Sequence, residues 1–583
     1  MKKYLANFRF PLQKEFSDPL EDDRQESLEM GLPRMNTKPK GLETNATRIK
    51  DHLSTYAREK TQLIQEGVKF LEQYNKCELK PNIRFSLTQT ILDSTASCLT
   101  DLYRQYVSKG ASFPESAERK TDLTSCVSLI QDLIQSYKIL LAHDYTLPLR
   151  KFNQQRERVR VTTIKIIELS LWLQRYQAIR FQKLSAQDWK EFNTVFFIYA
   201  SIFDIREATE MTDNLVLYKA SGVFSVNTAR RSIASLYLSV QLFGMLDITS
   251  WPSRSVLMIE QYLEKQEDLL DFSLGKPATA FEDFIITYAN ADTPPVFEEK
   301  ETAFNCFYIN LAKLKRQIRR ELDEIDRKKF IGEKDKKRLQ PQGKVDDLSE
   351  NQALLTLLNK NLSSIVRSND RKSLYGSRTV QVYSGLAESY RLLYELGRQP
   401  KYRDREQDSG LHEAAARHSS LLVDDLSSEL ECQWLVMNES DSGLLIRTVE
   451  TKYMHTMEVG HVVAIRNEEE DSDNFPQLGY ITRLDRLRDG ELDVAIVKIS
   501  VFAEAVTILE PGQDQNTQDL LPGILVKGLQ DEWQLILPRY VSYVSGTPAI
   551  IRRKEDNIPV RLGDVVDTKN GFTMFVVRSP GLK

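Results

Sequence analysis

The sequence predicts an α+β multidomain protein: an N-terminal all-α region of bundled or repeat-like helices, then a C-terminal antiparallel β-barrel with extra strands. Three observations carry this. The chain has 583 residues, enough for roughly two to four domains. Up to about residue 370, apolar residues recur at steps of three and four, the period of a helix with one buried face. Beyond that point the period shortens. Short runs rich in Val, Ile and Leu are separated by Gly, Pro, Asp and Asn, the signature of strands joined by turns.

Composition narrows the class. Hydrophobic residues make up 41% and charged residues 28%, as in a soluble folded protein. A net charge of −4 gives no overall attraction to nucleic acid or to an anionic membrane. Any anion site must be a local concentration of Arg and Lys. The longest apolar stretch, "TVFFIYASIF", is half of the roughly twenty residues that a spanning helix needs, so no integral membrane segment is expected. "MKKYLANFRFPLQKEF" is interrupted too early by polar residues to serve as a signal peptide. The five cysteines are widely spaced and form no CxxC pair. That argues against disulfides and zinc, and fits a cytoplasmic location.

Residues 1–45 are polar and Pro-containing and read as a mostly disordered N-terminal segment. Residues 46–330 read as an α-helical domain. "TQTILDSTASCLTDLYRQYV" and "TSCVSLIQDLIQSYKILLAH" carry the helical period, and Ser185 followed by Asp188 resembles a capping box. The clearest pattern is "TAFNCFYINLAKLKRQIRRELDEIDRKKF", read as one helix. Its Phe304, Phe307, Leu311, Leu314, Ile318, Leu322 and Ile325 fall on a single stripe. Lys313, Lys315, Arg316, Arg319 and Arg320 lie off that stripe and read as a solvated face. An RNA-binding helix is the alternative, and no nucleic-acid partner is expected. Residues 331–364 form a linker and a connecting helix. Residues 365–505 form the barrel, with an insertion at about 387–430 that begins with the helical "AESYRLLYELGR". Residues 506–583 are a β-rich extension.

Two short elements flank this strand region. One is "RSNDR", with Arg367 and Arg371 four residues apart. The other is "NESDSG", with Asn438, Ser440 and Gly443, at the end of a candidate strand. Arg is the side chain whose planar fork matches guanine O6 and N7, or a phosphate, with two parallel hydrogen bonds. Lys does not reproduce that geometry. Asn and Ser offer donors and acceptors close to the backbone, and Gly permits a positive φ and a close approach. The polar run is equally a good hairpin turn on backbone grounds alone.

An RxxxR and an NxSxxG, in this order ahead of an antiparallel barrel, resemble the PilZ domain, a bacterial receptor for cyclic di-GMP. The hairpin "VGHVVAIR" to "LGYITRLDRLRDGELDVAIVKI" fits the same family. The resemblance covers about residues 365–505. It implies that Arg367 and Arg371 grip phosphate and guanine, while Asn438, Ser440 and Gly443 form the base-contacting surface. The spacing departs from the family pattern, because Arg371 and Asn438 lie 67 residues apart (438 − 371). The first strand also starts late, which makes Arg378 a candidate for the mouth of the site.

The resemblance therefore implies a bacterial second-messenger receptor or effector in signal transduction. The ligand is cyclic di-GMP, bound at the barrel, and a protein partner is engaged through the helical domain. The alternative is a degenerate PilZ-like scaffold that acts by protein–protein interaction. The sequence carries no HExxH, GxSxG, Walker A or GxGxxG, and its six His show no ligand spacing. No enzyme activity, catalytic residue, metal or cofactor is expected. His143 and Asp144 in "HDY" read as a structural pair.

Overall fold

The computed structural model describes residues 41–579 together with residues 31–32 and 35. Within that span the described residues leave out 110–114, 216–229, 274–283, 298–305, 335–342, 363–371, 374–377, 399–432, 450–456, 468–475, 510–520 and a few shorter stretches. The expected N-terminal disordered segment therefore falls almost wholly outside the described residues. So do the polar part of the insertion and the acidic turn at 468–475. The chain divides into two compact units. One is formed mainly by residues 1–365 and the other mainly by 366–583.

The first unit is built on helices α1 (Ala46–Ser54), α2 (Lys60–Asn75), α3 (Pro81–Lys109), α4 (Ala117–Tyr145), α5 (Leu149–Ile179) and α6 (Ala186–Ile202). Their apolar faces meet in one core that includes Leu99, Tyr103, Ile130, Tyr137, Trp172 and Tyr176. The starts of two of these helices are legible as chemistry. The Asn45 side chain accepts from the Thr47 backbone N–H, opening α1. Ser185 and Asp188 form the expected capping box at α6. The His143–Asp144 pair is structural. Asp144 is buried and takes two hydrogen bonds of 2.6 Å from Arg158 and one contact of 2.9 Å with His143 Nδ1.

The expectation of an all-α first region needs correction. A short hairpin pairs β1 (Ala208–Glu210) with β2 (Arg230–Ser232) ahead of α7 (Ile233–Met245) and α8 (Ser253–Lys265). A four-stranded sheet then follows, built from β3 (Asp271–Ser273), β4 (Phe284–Tyr288), β5 (Val296–Phe297) and β6 (Cys306–Asn310), in the order β3-β6-β4-β5. The long helix read from 302 begins only at Ala312, as α9 (Ala312–Lys334). Its first turn is fixed by Asn310, whose side chain accepts from the Ala312 N–H at 2.9 Å.

The physical reason is that "CFYIN" is buried on both faces. Its β-branched and aromatic residues suit a ladder better than a helix. Phe307 packs on Phe197 and Phe196 of α6, with ring centroids 4.3 and 5.2 Å apart. Leu311, Leu314, Ile318 and Ile325 are buried as the stripe requires. Lys315 is not on a solvated face: it is buried, with Nζ 5.3 Å from the centre of the Phe297 ring. The last helix of this unit is α10 (Gly343–Asn361).

The second unit holds two closed antiparallel barrels. The first uses β8 (Thr379–Ser384), β9 (Gln433–Glu439), β10 (Gly443–Val449), β11 (Val462–Asn467), β12 (Gln477–Arg486) and β13 (Glu491–Ser500). The hydrogen-bonded order runs β10-β13-β12-β11-β8-β9, and β9 returns to β10. A two-residue strand, β7 (Lys372–Ser373), pairs with the end of β9. Val380, Val382, Trp434, Val436, Ile446 and Val494 alternate into the buried side, as strand geometry demands.

The strand-rich extension closes as a second barrel in the order β14-β15-β16-β19-β18-β17. Its strands are β14 (Ala503–Leu509), β15 (Leu521–Lys527), β16 (Trp533–Pro538), β17 (Pro548–Arg553), β18 (Asp556–Thr568) and β19 (Phe572–Arg578).

One helix joins the two barrels. Gly385 has φ of +95° and its N–H donates to Val462 O at 2.8 Å, so the chain leaves β8 through a left-handed turn that only glycine adopts cheaply. It enters α11 (Leu386–Arg398) directly. Tyr390, Leu392, Leu393 and Leu396 of α11 share a core with Val462, Ala464 and Leu478 of the first barrel. The same core contains Ala503, Ile524, Val526, Ile536, Phe572 and Met574 of the second. This explains why β11 reads as an unbroken apolar run. Val463 and Ile465 are buried on one side of that strand and Val462 and Ala464 lie under α11 on the other. Among the described residues, no helix is long and apolar enough to cross a membrane.

Candidate functional site

The site begins with a turn. β9 and β10 are joined through Ser440, Asp441, Ser442 and Gly443. The Ser440 N–H donates to Gly443 O at 2.8 Å. Hairpin and polar rim are therefore one structure, and the turn residues of "NESDSG" are placed by backbone pairing. Just before the turn the register slips. Leu445 faces Asn438, but Ile446 faces Val436, which leaves Met437 as the extra residue of a β-bulge. A bulge re-aims the side chains beside it, and Asn438 is the next residue. Among the described residues, the Asn438 side-chain amide has no hydrogen-bond partner, and it is half-buried.

Gly443 is placed for a different reason from the one expected. Its φ is not positive. A Cβ there would sit 3.2 Å from the Ile496 carbonyl oxygen and 3.6 Å from Ser440 Oγ. The glycine lets the turn lie flat on β13 rather than supplying a left-handed bend.

The other edge of β9 carries the residues that follow the arginine pair in the chain. Arg367 and Arg371 lie outside the described residues, but the residues that follow are placed. Lys372 pairs with Glu439 and Ser373 pairs with Asn438. Thr379, Val380 and Gln381 pair with Leu435, Trp434 and Gln433 further along the same strand. β7 and β8 thus run along one edge of β9, separated by residues 374–377. Arg371 and Asn438 are 67 positions apart in sequence (438 − 371), yet Lys372 and Ser373 lie beside Glu439 and Asn438 in the fold.

Arg378 is at the start of β8, where its carbonyl accepts from Val436 N–H at 2.9 Å. Its guanidinium Nη2 reaches Glu439 Oε2 at 3.0 Å. Its Nε is buried without a hydrogen-bond partner among the described residues.

Two residues of this rim are not anticipated by sequence reasoning. Glu439, inside the quoted motif, is the hub. One carboxylate oxygen takes Arg378 and the other takes Lys498 Nζ at 2.7 Å. Lys498 also pins the turn. Its side chain donates to Ser440 O at 3.1 Å, and its backbone N–H donates to Ser442 O at 3.0 Å. The sequence signal was slight: a single lysine interrupting the apolar run "DVAIVKIS". Burial alone would raise the Glu439 carboxyl. The Lys498 hydrogen bond, with the charges of Lys498 and Arg378, outweighs it and holds the group below the usual carboxylate range. Glu439 therefore stays ionised, one carboxylate shared between two cationic side chains.

Arg483 and Arg486 of β12 are engaged elsewhere. Arg483 pairs with Asp485 at 2.7 Å. Arg486 pairs with Glu115 at 2.8 Å, a residue of a short segment that belongs to the same compact unit.

The rim can thus present planar and point cations, an amide, a hydroxyl and backbone groups beside one another, a set suited to a phosphate and a base edge. Among the described residues, no group of three or more His, Cys, Asp or Glu is placed to hold a metal. Residues 57–278, which run from α2 to just beyond β3, match the family model of the N-terminal domain of the cyclic-di-GMP receptor FimW. No curated protein matches the chain.

Proposed function

We propose that the chain is a cyclic di-GMP receptor whose first barrel, PilZ-like in kind, holds the nucleotide. In this reading Arg367 and Arg371 close over the ligand from the tether that leads into β7. Arg378 supports them from the mouth of β8, and Asn438, Ser440 and Gly443 offer the base-contacting surface. The observation that carries it is the register of β7 on β9. Lys372, the residue after Arg371, is the partner of Glu439, and Ser373 is the partner of Asn438. Arg371 immediately precedes Lys372 in the sequence. The match of residues 57–278 to the N-terminal domain of a cyclic-di-GMP receptor supports the same ligand from an independent part of the chain.

The receptor acts without enzymatic turnover, in the cytoplasm, and passes the signal to a protein partner through its helical unit. Capture of the ligand by the arginine pair is the switching event.

Isothermal titration of the full chain with cyclic di-GMP tests this. Arg371→Ala and Asn438→Ala each weaken binding, the arginine variant by about a hundredfold and the amide variant by about tenfold, following the usual cost of losing a charged or a neutral hydrogen bond. Unchanged titration heats in both variants would remove the assigned site.

A further inference from the structure

We propose that Glu439 is the resident counter-ion of this site. It occupies Arg378 and Lys498, two rim cations that would otherwise face an incoming phosphate, and so sets how much charge a ligand must bring to enter. The inference rests on the reading above for the identity of the ligand, though not for the presence of an anion site.

The geometry is specific. Glu439 lies within the polar motif itself, at the point where Lys372 pairs with β9. Its two oxygens are divided between Arg378 at 3.0 Å and Lys498 at 2.7 Å, and its side chain is 22% exposed. Each carboxylate oxygen therefore has a cationic partner, and the group is partly exposed. Lys498 cannot drift away when the carboxylate is displaced, because its Nζ also holds Ser440 O. Arg378 keeps a buried Nε donor unused among the described residues. Lys498 thus keeps a second anchor, and Arg378 a spare donor, when another anion replaces the carboxylate.

Protonation does not release them. The pair holds the Glu439 carboxyl below its ordinary range, so it stays charged at any physiological pH. Only a competing anion can take its place. A singly charged ligand exchanges one carboxylate for one phosphate and gains little. A ligand with two phosphates and a base edge gains contacts that the carboxylate cannot supply. The resident acid therefore trades affinity for selectivity towards the more highly charged ligand.

Glu439→Gln in the full chain tests this, with cyclic di-GMP and inorganic pyrophosphate titrated separately at two salt concentrations. Glu439→Asp keeps the charge, is too short to span both cations, and carries the test should the glutamine variant fold poorly by circular dichroism. The expected result is tighter binding of both probes by Glu439→Gln, about tenfold, with a steeper loss of affinity at high salt. Glu439→Asp gives an intermediate gain.

Tighter pyrophosphate binding, with cyclic di-GMP bound by neither wild type nor variant, upholds the counter-ion and overturns the ligand reading. Weaker cyclic di-GMP binding with pyrophosphate unchanged makes Glu439 a base-reading group, and overturns the counter-ion while the receptor reading stands. No change with either probe also overturns the counter-ion.

Discussion

The two barrels of the second unit are alike in strand number and sense, yet they handle charge differently. In the second barrel two cations each meet a single carboxylate. Arg553 meets Glu504 at 2.7 Å and lies over the Trp533 ring, and Lys569 meets Asp567 at 2.9 Å. In the first, two cations share a single carboxylate. The walls differ as well. In the second barrel each strand runs beside its two neighbours in the closed order. In the first, one edge of β9 is shared between two pieces of chain, β7 and β8, and the strand itself carries a bulge. The proposed binding rim lies where one edge of β9 is shared between two strands and where two cations meet on one carboxylate. Three perturbations break or sharpen that contrast.

The largest effect should come from the element that the barrels share. Leu393 of α11 is buried in the core common to both. Leu393→Ala removes apolar contacts and leaves a cavity, and should cost about 2–5 kcal/mol. Urea unfolding followed by two probes, Trp434 in the first barrel and Trp533 in the second, should show both transitions moving together. Movement of one alone would mean that the barrels do not share a folding unit.

A smaller effect is expected at the entry to that helix. Gly385 is at φ +95°, with nothing within 4 Å of an added Cβ. Gly385→Ala therefore meets no clash and suffers only the backbone penalty, about 1–2 kcal/mol. Alanine at Gly443 is the instructive counterpart. Its φ is ordinary, and its cost arises from the Ile496 carbonyl at 3.2 Å. Thermal midpoints for the two variants separate conformational strain from crowding. Equal binding of cyclic di-GMP by Gly385→Ala and wild type would keep the helix entry out of the ligand site.

Much of the architecture was legible because periodicity is a local property. The alternation in "RTVQVY" and "LDVAIVKI" and the capping box at Ser185 each depend on a few neighbouring residues. Legibility failed where a long-range partner decided the outcome. "CFYIN" fits a helical stripe in isolation, and becomes a strand because β3 and β4 are there to pair with it. β11 shows no alternation because α11 covers its outer face. The motif residues Asn438, Ser440 and Gly443 could be picked out from turn chemistry and resemblance. Glu439 could not, because its two partners lie about sixty residues away in either direction, and only the closure of the barrel brings them together.

The seam between the barrels offers the smallest effect and a distinct readout. His461, at the edge of β11, lies against Gly571 of the second barrel. A Cβ on that glycine would come within 3.1 Å of the imidazole. The His461 Nδ1 is buried without a hydrogen-bond partner among the described residues, and Glu458 is 3.8 Å from Nε2. Burial disfavours the imidazolium and lowers the His461 pKa. A depressed value in the folded chain means that the unfolded chain binds the proton more readily. The stabilising contribution is thus fully present above the ordinary histidine value of about 6.5, and is lost as the pH falls below it towards the folded value. His461→Gln removes this dependence. Denaturation series at pH values above and below 6.5 should show a shallower loss of stability on acidification in the variant than in wild type. A steeper loss in the variant would mean that Glu458, by favouring the charged ring, outweighs burial, and that acid tightens the seam instead of loosening it.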